Sequence, residues 1–169
     1  MRAPLIIALA LLGTASAWAA EEPSGCDKFK WPIERERAAL IAPDRIKLAS
    51  GSELHALPST GITLGLSTPV EARLPSPPER APKEGTFAGF ATFKNALAPG
   101  RYTINLSAAG WIDVVQDGQF LRSVTSSGVR DCEGIRKSVK FEIPAKPFVI
   151  QISGVEANSI SLAIVPAFE

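Results

Sequence analysis

Residues 99–124 read PGRYTINLSAAGWIDVVQDGQFLRSV, and this stretch decides the fold. Pro99-Gly100 is a turn signal. Tyr102, Ile104 and Leu106 then alternate with Thr103, Asn105 and Ser107, the period-2 pattern of a strand with one face toward a core. Ala108 to Gly110 turns the chain into Trp111–Gln116. Asp117-Gly118 is a two-residue hairpin signal, because a tight hairpin needs positive φ at both central positions. Phe120 to Val124 is expected to pair back.

The same grammar extends on both sides. Phe87 to Phe93 alternates aromatics with small residues. Val139, Phe141 and Ile143 alternate with Lys140 and Glu142, and Phe148–Ile152 and Ile160–Val165 complete the series. Upstream, Ile46–Leu48, Leu54–Leu57 and Ile62–Leu66 read as short strands, with Ile62, Leu64 and Leu66 on one side. Short strands with turn residues between them point to an all-β fold, an antiparallel β-sandwich of jelly-roll type. Pro69 to Gly85 holds five prolines and reads as a long surface loop with no helix or central strand. Thr125 to Arg136 reads as a polar loop. One short N-terminal helix is expected over Glu34–Ala42, with Pro32 in its first turn and Pro43 as its stop.

The first nineteen residues have the order of a secretory signal peptide: Arg2, the apolar run Leu5–Leu12, then Ala17-Trp18-Ala19. The run is too short to cross a bilayer, which takes about 20 apolar residues. The expected cut lies between Ala19 and Ala20, with Ala17/Trp18 as the second choice. The chain then divides into residues 1–19 (leader), 20–43 (N-terminal segment with the helix) and 44–169 (the sandwich). The expected location is periplasmic or secreted, with no membrane span in the mature chain. The full sequence carries 18 basic and 17 acidic residues, and loss of Arg2 leaves the mature chain neutral. A neutral chain without Lys/Arg runs has no field to attract nucleic acid.

Two cysteines, Cys26 and Cys132, remain after cleavage. In an oxidising compartment they most simply form one disulfide; free buried thiols or an intermolecular bond are the alternatives. Two cysteines and one histidine do not close a zinc shell, so no metal and no cofactor is expected. His55 is the single histidine, and no Gly-x-Ser-x-Gly elbow presents a serine to it, so no catalytic residue is assigned.

The polar segment around Cys132 carries Arg130, Asp131, Arg136 and Lys137. A bond to Cys26 would bring Trp31 beside them. Trp31, Arg130, Asp131, Arg136 and Lys137 are therefore the candidate ligand-binding residues, joining an aromatic platform to guanidinium forks that match carboxylates. The competing reading is a salt-bridged brace with no ligand. Trp111 reads as a half-buried anchor of the sandwich. Asp113 beside it must face solvent or find a partner, with Arg101 or Arg122 as candidates.

Three segments carry a resemblance: Cys26–Pro32 (CDKFKWP), Trp111–Gly118 (WIDVVQDG) and Cys132–Phe141 (CEGIRKSVKF). With them the chain resembles a group of small exported proteins from alphaproteobacteria, which implies an exported β-sandwich and no particular activity. Short chains of this kind are linked with homogentisate 1,2-dioxygenase, a much larger cupin family that binds iron through histidines and a glutamate. His55 alone departs from that requirement. The Pro99–Tyr102 entry to a strand is also similar to the pre-peptidase C-terminal type of β-sandwich, at the level of fold. The sequence thus favours a binding module without catalytic activity, whose partner is a small molecule, a glycan or an envelope protein. The alternative is an enzyme built on carboxylates and Arg, or on a metal.

Overall fold

The computed structural model describes residues 21–95 and 97–167. The expected leader and its cleavage points lie outside them. Among the described residues, eleven strands form two sheets. The strands are β1 (Ile46–Leu48), β2 (Ser52–Leu54), β3 (Ile62–Gly65), β4 (Phe87–Phe93), β5 (Gly100–Leu106), β6 (Trp111–Gln116), β7 (Gln119–Phe120), β8 (Ser123–Gly128), β9 (Lys137–Ile143), β10 (Phe148–Val155) and β11 (Ser159–Pro166). The six-stranded sheet runs β1-β3-β11-β5-β9-β8, and the five-stranded sheet runs β2-β4-β10-β6-β7. Within them, β3-β11-β5-β9 and β4-β10-β6-β7 are the two four-stranded halves of a jelly roll. Strands β3 to β6 switch sheet at every connection, as do β9 to β11, and the central ladders are antiparallel. The edge strands β1 and β2 add parallel pairs to β3 and β4, so both sheets are mixed.

The alternation seen in the sequence decides which side chains join the core, although along β5 and β6 the outward-facing Thr103, Asn105 and Asp113 are buried too. Ile104, Leu106, Phe141, Ile143, Leu162 and Ile164 face inward from one sheet. Phe93, Ile112, Val114, Phe148, Ile150 and Ile152 face inward from the other, and all join one core. Each such side chain contributes about 1.5–3 kcal/mol by leaving water. Phe93 and Phe148 are paired across β4 and β10 and stack with ring centroids 4.7 Å apart. The hairpin signal acts as expected: Asp117 and Gly118 take φ of 49° and 73°.

The helix α1 (Glu34–Ile41) forms where good helix formers stand before Pro43. Ile33 is its N-cap, so Pro32 precedes the cap instead of occupying the first turn. A helix this short persists only by packing. It lies on the outer face of β11 and β5, over a second apolar cluster that includes Ile33, Leu40, Val129, Ile135 and Ala163. The disulfide Cys26–Cys132 borders this cluster, with its Cα atoms 4.8 Å apart. No helix among the described residues is long and apolar enough to cross a membrane.

Four expectations need correction. The Pro69–Gly85 segment does contain a helix, the single turn α2 (Pro69–Ala72), because proline is tolerated at the first helical position and Thr68 Oγ1 donates to Glu71. The strand expected at Leu54–Leu57 sits earlier, at β2. Thr125 to Gly128 is not loop but the end of β8, which leaves β7 and pairs with β9 in the opposite sheet. Serines and threonines suit a sheet edge with one wet face, so polarity alone misleads there. Finally, Trp111 is half-buried as expected, but it faces outward from β6 and does not join the core, as the next subsection describes.

Candidate functional site

On β6, Ile112 and Val114 fill the core, so Trp111 and Asp113 must point outward. Their cross-strand neighbours on β10 are Ser153 and Gln151, which share that outer face. A polar patch in the middle of a sheet needs partners, and the proline-rich segment supplies them. The Gln151 side chain accepts from Ser76 N at 2.8 Å and donates to Ser76 O at 3.1 Å. Asp113 Oδ2 accepts from Glu79 N at 3.3 Å, and Asp113 Oδ1 accepts from the Trp111 indole at 2.7 Å. Asp113 is therefore buried without an arginine: neither Arg101 nor Arg122 reaches it, and Arg101 pairs with Glu142 instead. Burial raises the Asp113 carboxyl above its ordinary value, while the indole and the Glu79 amide oppose that rise.

Strapped in this way, the proline-rich segment ends in Arg80–Lys83 beside Trp111. Together with the β5–β6 turn, the end of β8, the start of β9 and the end of β10, it encloses an open cleft of about 490 Å³ at one end of the sandwich. Trp111 is half-buried in its wall. The Lys137 ammonium stands 5.2 Å and the Arg80 guanidinium 5.7 Å from the indole centroid, both within cation–π reach. Lys137 Nζ also donates to Gly110 O at 2.7 Å. Burial pushes the Lys137 ammonium below its ordinary value, and the nearby Arg80 and Arg136 push it further, with Glu22 and Asp113 opposing.

Arg136 enters the cleft from the segment before β9. Its guanidinium donates to Val129 O at 2.6 Å and grips the Glu22 carboxylate in a fork, with Nη1–Oε1 at 2.6 Å and Nη2 on Oε2. That hydrogen-bonded cation holds the Glu22 carboxyl below its ordinary value. Ser153 is buried among the lining residues, and its hydroxyl has no partner among the described residues.

Of the five residues singled out in the sequence, only Arg136 and Lys137 line this cleft. The disulfide does draw the 26–31 segment against the Cys132 loop, but Trp31 goes elsewhere. Its indole donates to Ser138 Oγ at 3.2 Å, and the Lys140 ammonium lies 4.4 Å from its ring centroid, on the outer face of the six-stranded sheet. Arg130 pairs with Glu21 at 2.7 Å, and Asp131 accepts from Ser24 Oγ at 2.6 Å. Arg130 and Asp131 therefore engage the N-terminal segment. Trp111, read from the sequence as an anchor of the sandwich and not as a site residue, lines the cleft, as do Arg80, Lys83 and Ser153, for which the sequence offers no reading. The signal for Trp111 was its shared side with Asp113, which marks that side of β6 as the polar one. No signal places Arg80, because nothing local says where a proline-rich loop docks.

The cleft offers donors and cations more than acceptors: Arg80, Lys83, Arg136 and Lys137 face Glu22 and Glu156. Among the described residues, no group of three or more His, Cys, Asp or Glu stands together as a metal shell. Comparison with known proteins finds no matching family model, no similar curated protein and no similar solved structure.

Proposed function

We propose that this chain is an exported, non-catalytic binding module of the bacterial envelope that holds a small molecule in the Trp111 cleft. The observation that carries this reading is the approach of the Lys137 ammonium to 5.2 Å and the Arg80 guanidinium to 5.7 Å from the Trp111 ring, with Arg136 lining the same open cleft of about 490 Å³. That volume lies within the roughly 300–1,000 Å³ of small-ligand sites. The cleft is concave, whereas a glycan chain or an envelope protein would call for an extended surface. The leader-like order of residues 1–19 and the resemblance to small exported alphaproteobacterial proteins support the location, and a cystine suits an oxidising compartment.

The test uses the chain as processed by export, in which Trp31 and Trp111 are the expected indoles. Trp31→Phe leaves Trp111 as the reporter. Its emission is titrated with a panel of small sugars, carboxylates and phosphates. A saturable change with at least one class is expected, and a flat response to every class contradicts the reading. Stoichiometric iron or zinc in the purified protein would favour the enzyme alternative instead.

A further inference from the structure

The Glu22 carboxylate has the position of a ligand. It reaches the cleft from the chain's own N-terminal segment and takes the bidentate grip of Arg136, the geometry with which guanidinium recognises free carboxylates. Its attachment is also unlike that of the residues just after it. From Pro23 onward the segment is pinned by backbone: Arg130 N donates to Pro23 O at 2.7 Å, Gly25 N donates to Arg130 O at 2.8 Å, and the cystine follows at Cys26. Glu22 precedes that pinned stretch and is held by its side chain to Arg136. Its side chain is 45% exposed, against 24% for Arg136. The carboxylate can swing out without loss of the backbone pins.

Glu22 does not balance the cleft. Arg80, Lys83 and Lys137 have no carboxylate partner within ion-pair distance among the described residues. Lys137 is half-buried and sits near the Arg80 and Arg136 guanidinium groups. Holding like charges together in a half-enclosed space costs free energy that an incoming anion would relieve. The buried Ser153 hydroxyl adds an unused donor to the same wall.

We infer that the cleft binds a small, multiply charged anion of carboxylate or phosphate chemistry, and that Glu22 is a tethered place-holder which this anion displaces from Arg136. This inference rests on the proposed ligand cleft and names its ligand class. One anionic group takes the fork of Arg136. A second meets Lys137, Arg80 and Lys83. The Trp111 indole stays hydrogen-bonded to Asp113 and forms the apolar backing.

The test is titration calorimetry at low ionic strength with citrate and with inorganic phosphate as separate probes, on the exported chain and on Glu22→Gln. Saturable binding of at least one probe is expected, and the probe that binds more tightly distinguishes carboxylate from phosphate. Removal of the competing carboxylate should tighten that probe about two- to five-fold, the scale of a partly exposed ion pair. Lys137→Met, which keeps the packed stem, should weaken binding at least ten-fold. Arg80→Ala, on the exposed strap, should weaken it several-fold with the circular dichroism spectrum unchanged. Absence of binding by both probes to Glu22→Gln would overturn the inference, and so would equal affinity of Glu22→Gln and the parent chain. If neutral sugars move the Trp111 emission while both anions fail, the cleft stands and the anion class falls. If nothing moves it, both fall.

Discussion

Replacing both cysteines, as Cys26→Ser with Cys132→Ser, removes the disulfide cross-link between the N-terminal segment and the sandwich. The bond spans 106 positions, and for a loop of that size the chain-entropy argument gives about 4–5 kcal/mol. The native contacts around it do not reduce that figure. The Ser24–Arg130 bridge, the Pro23 and Gly25 hydrogen bonds and the Lys30 ammonium on Ser126 O at 2.8 Å belong to the folded state, whereas the cross-link acts mainly on the unfolded one. Cys132 is 9% exposed, so its serine hydroxyl adds a modest desolvation cost. A loss of about 4–5 kcal/mol or slightly more follows, and at ~2–4 °C per kcal/mol for a domain of this size the melting temperature should fall by roughly 10–20 °C. Thermal unfolding followed by far-ultraviolet circular dichroism measures it, with urea unfolding as the second probe. The doubly substituted chain, without the cross-link, exposes more surface on unfolding, so its urea slope should rise as its midpoint falls. A melting temperature within about 2 °C of the parent would refute the reasoning. It would mean either that the unfolded chain stays compact around the two positions or that the sulfurs are not joined.

Three further outcomes follow from the packing and the electrostatics. Phe148→Ala removes a fully buried ring stacked on Phe93 and should cost about 3–5 kcal/mol in urea unfolding; a cost under 1 kcal/mol would place the ring outside the core. Gly134 has a φ of 83°, and a Cβ there would meet Ile41 Cγ2 at 2.4 Å, so Gly134→Ala should destabilise by about 1–2 kcal/mol, whereas a neutral substitution would show that α1 does not press on the Cys132 loop. Asp113 has a folded-state pKa above its unfolded value, so its contribution is fully present below the ordinary carboxylate range and is lost as pH rises through the folded value. Relative to Asp113→Asn, the parent should lose stability as pH rises upward from roughly 4, and a carboxyl that titrates by NMR at or below its ordinary value would refute this.

The sandwich was legible because its strands obey a strict period of two. Tyr102, Ile104 and Leu106 could face only one core, and Asp117-Gly118 could make only one kind of turn. The cystine was legible from the parity of two cysteines behind a leader-like N-terminus. Half of the site was legible as well: Arg136 and Lys137 stood out because charges crowd around Cys132. The rest depends on contacts between segments distant in sequence. Arg80 reaches Trp111 only because Ser76 and Glu79 find Gln151 and Asp113 on the outer face of the sheet, and no local pattern encodes that docking. Large aromatics favour cores, which makes an anchoring role natural for Trp111, yet Ile112 and Val114 take the inner face of β6 and leave the ring on the outer one. Trp31 was placed in the site because the disulfide brings its segment close. Proximity of backbone did not fix the direction of its ring, which Ser138 and Lys140 hold on another face. The parallel edge pairs of β1 and β2 were hidden because three-residue strands carry too few positions to show a partner.

The indoles of Trp31 and Trp111 lie on different faces of the fold, and the Trp31→Phe and Trp111→Phe variants assign their N–H resonances. A ¹H–¹⁵N titration with citrate or phosphate at low salt therefore reads the central claim directly. The account predicts that the Trp111 resonance moves in a saturable way, together with the backbone amides of Lys137 and Arg136, while the Trp31 resonance stays in place. A Trp111 resonance that does not move with any small ligand, or a response confined to Trp31, would contradict it.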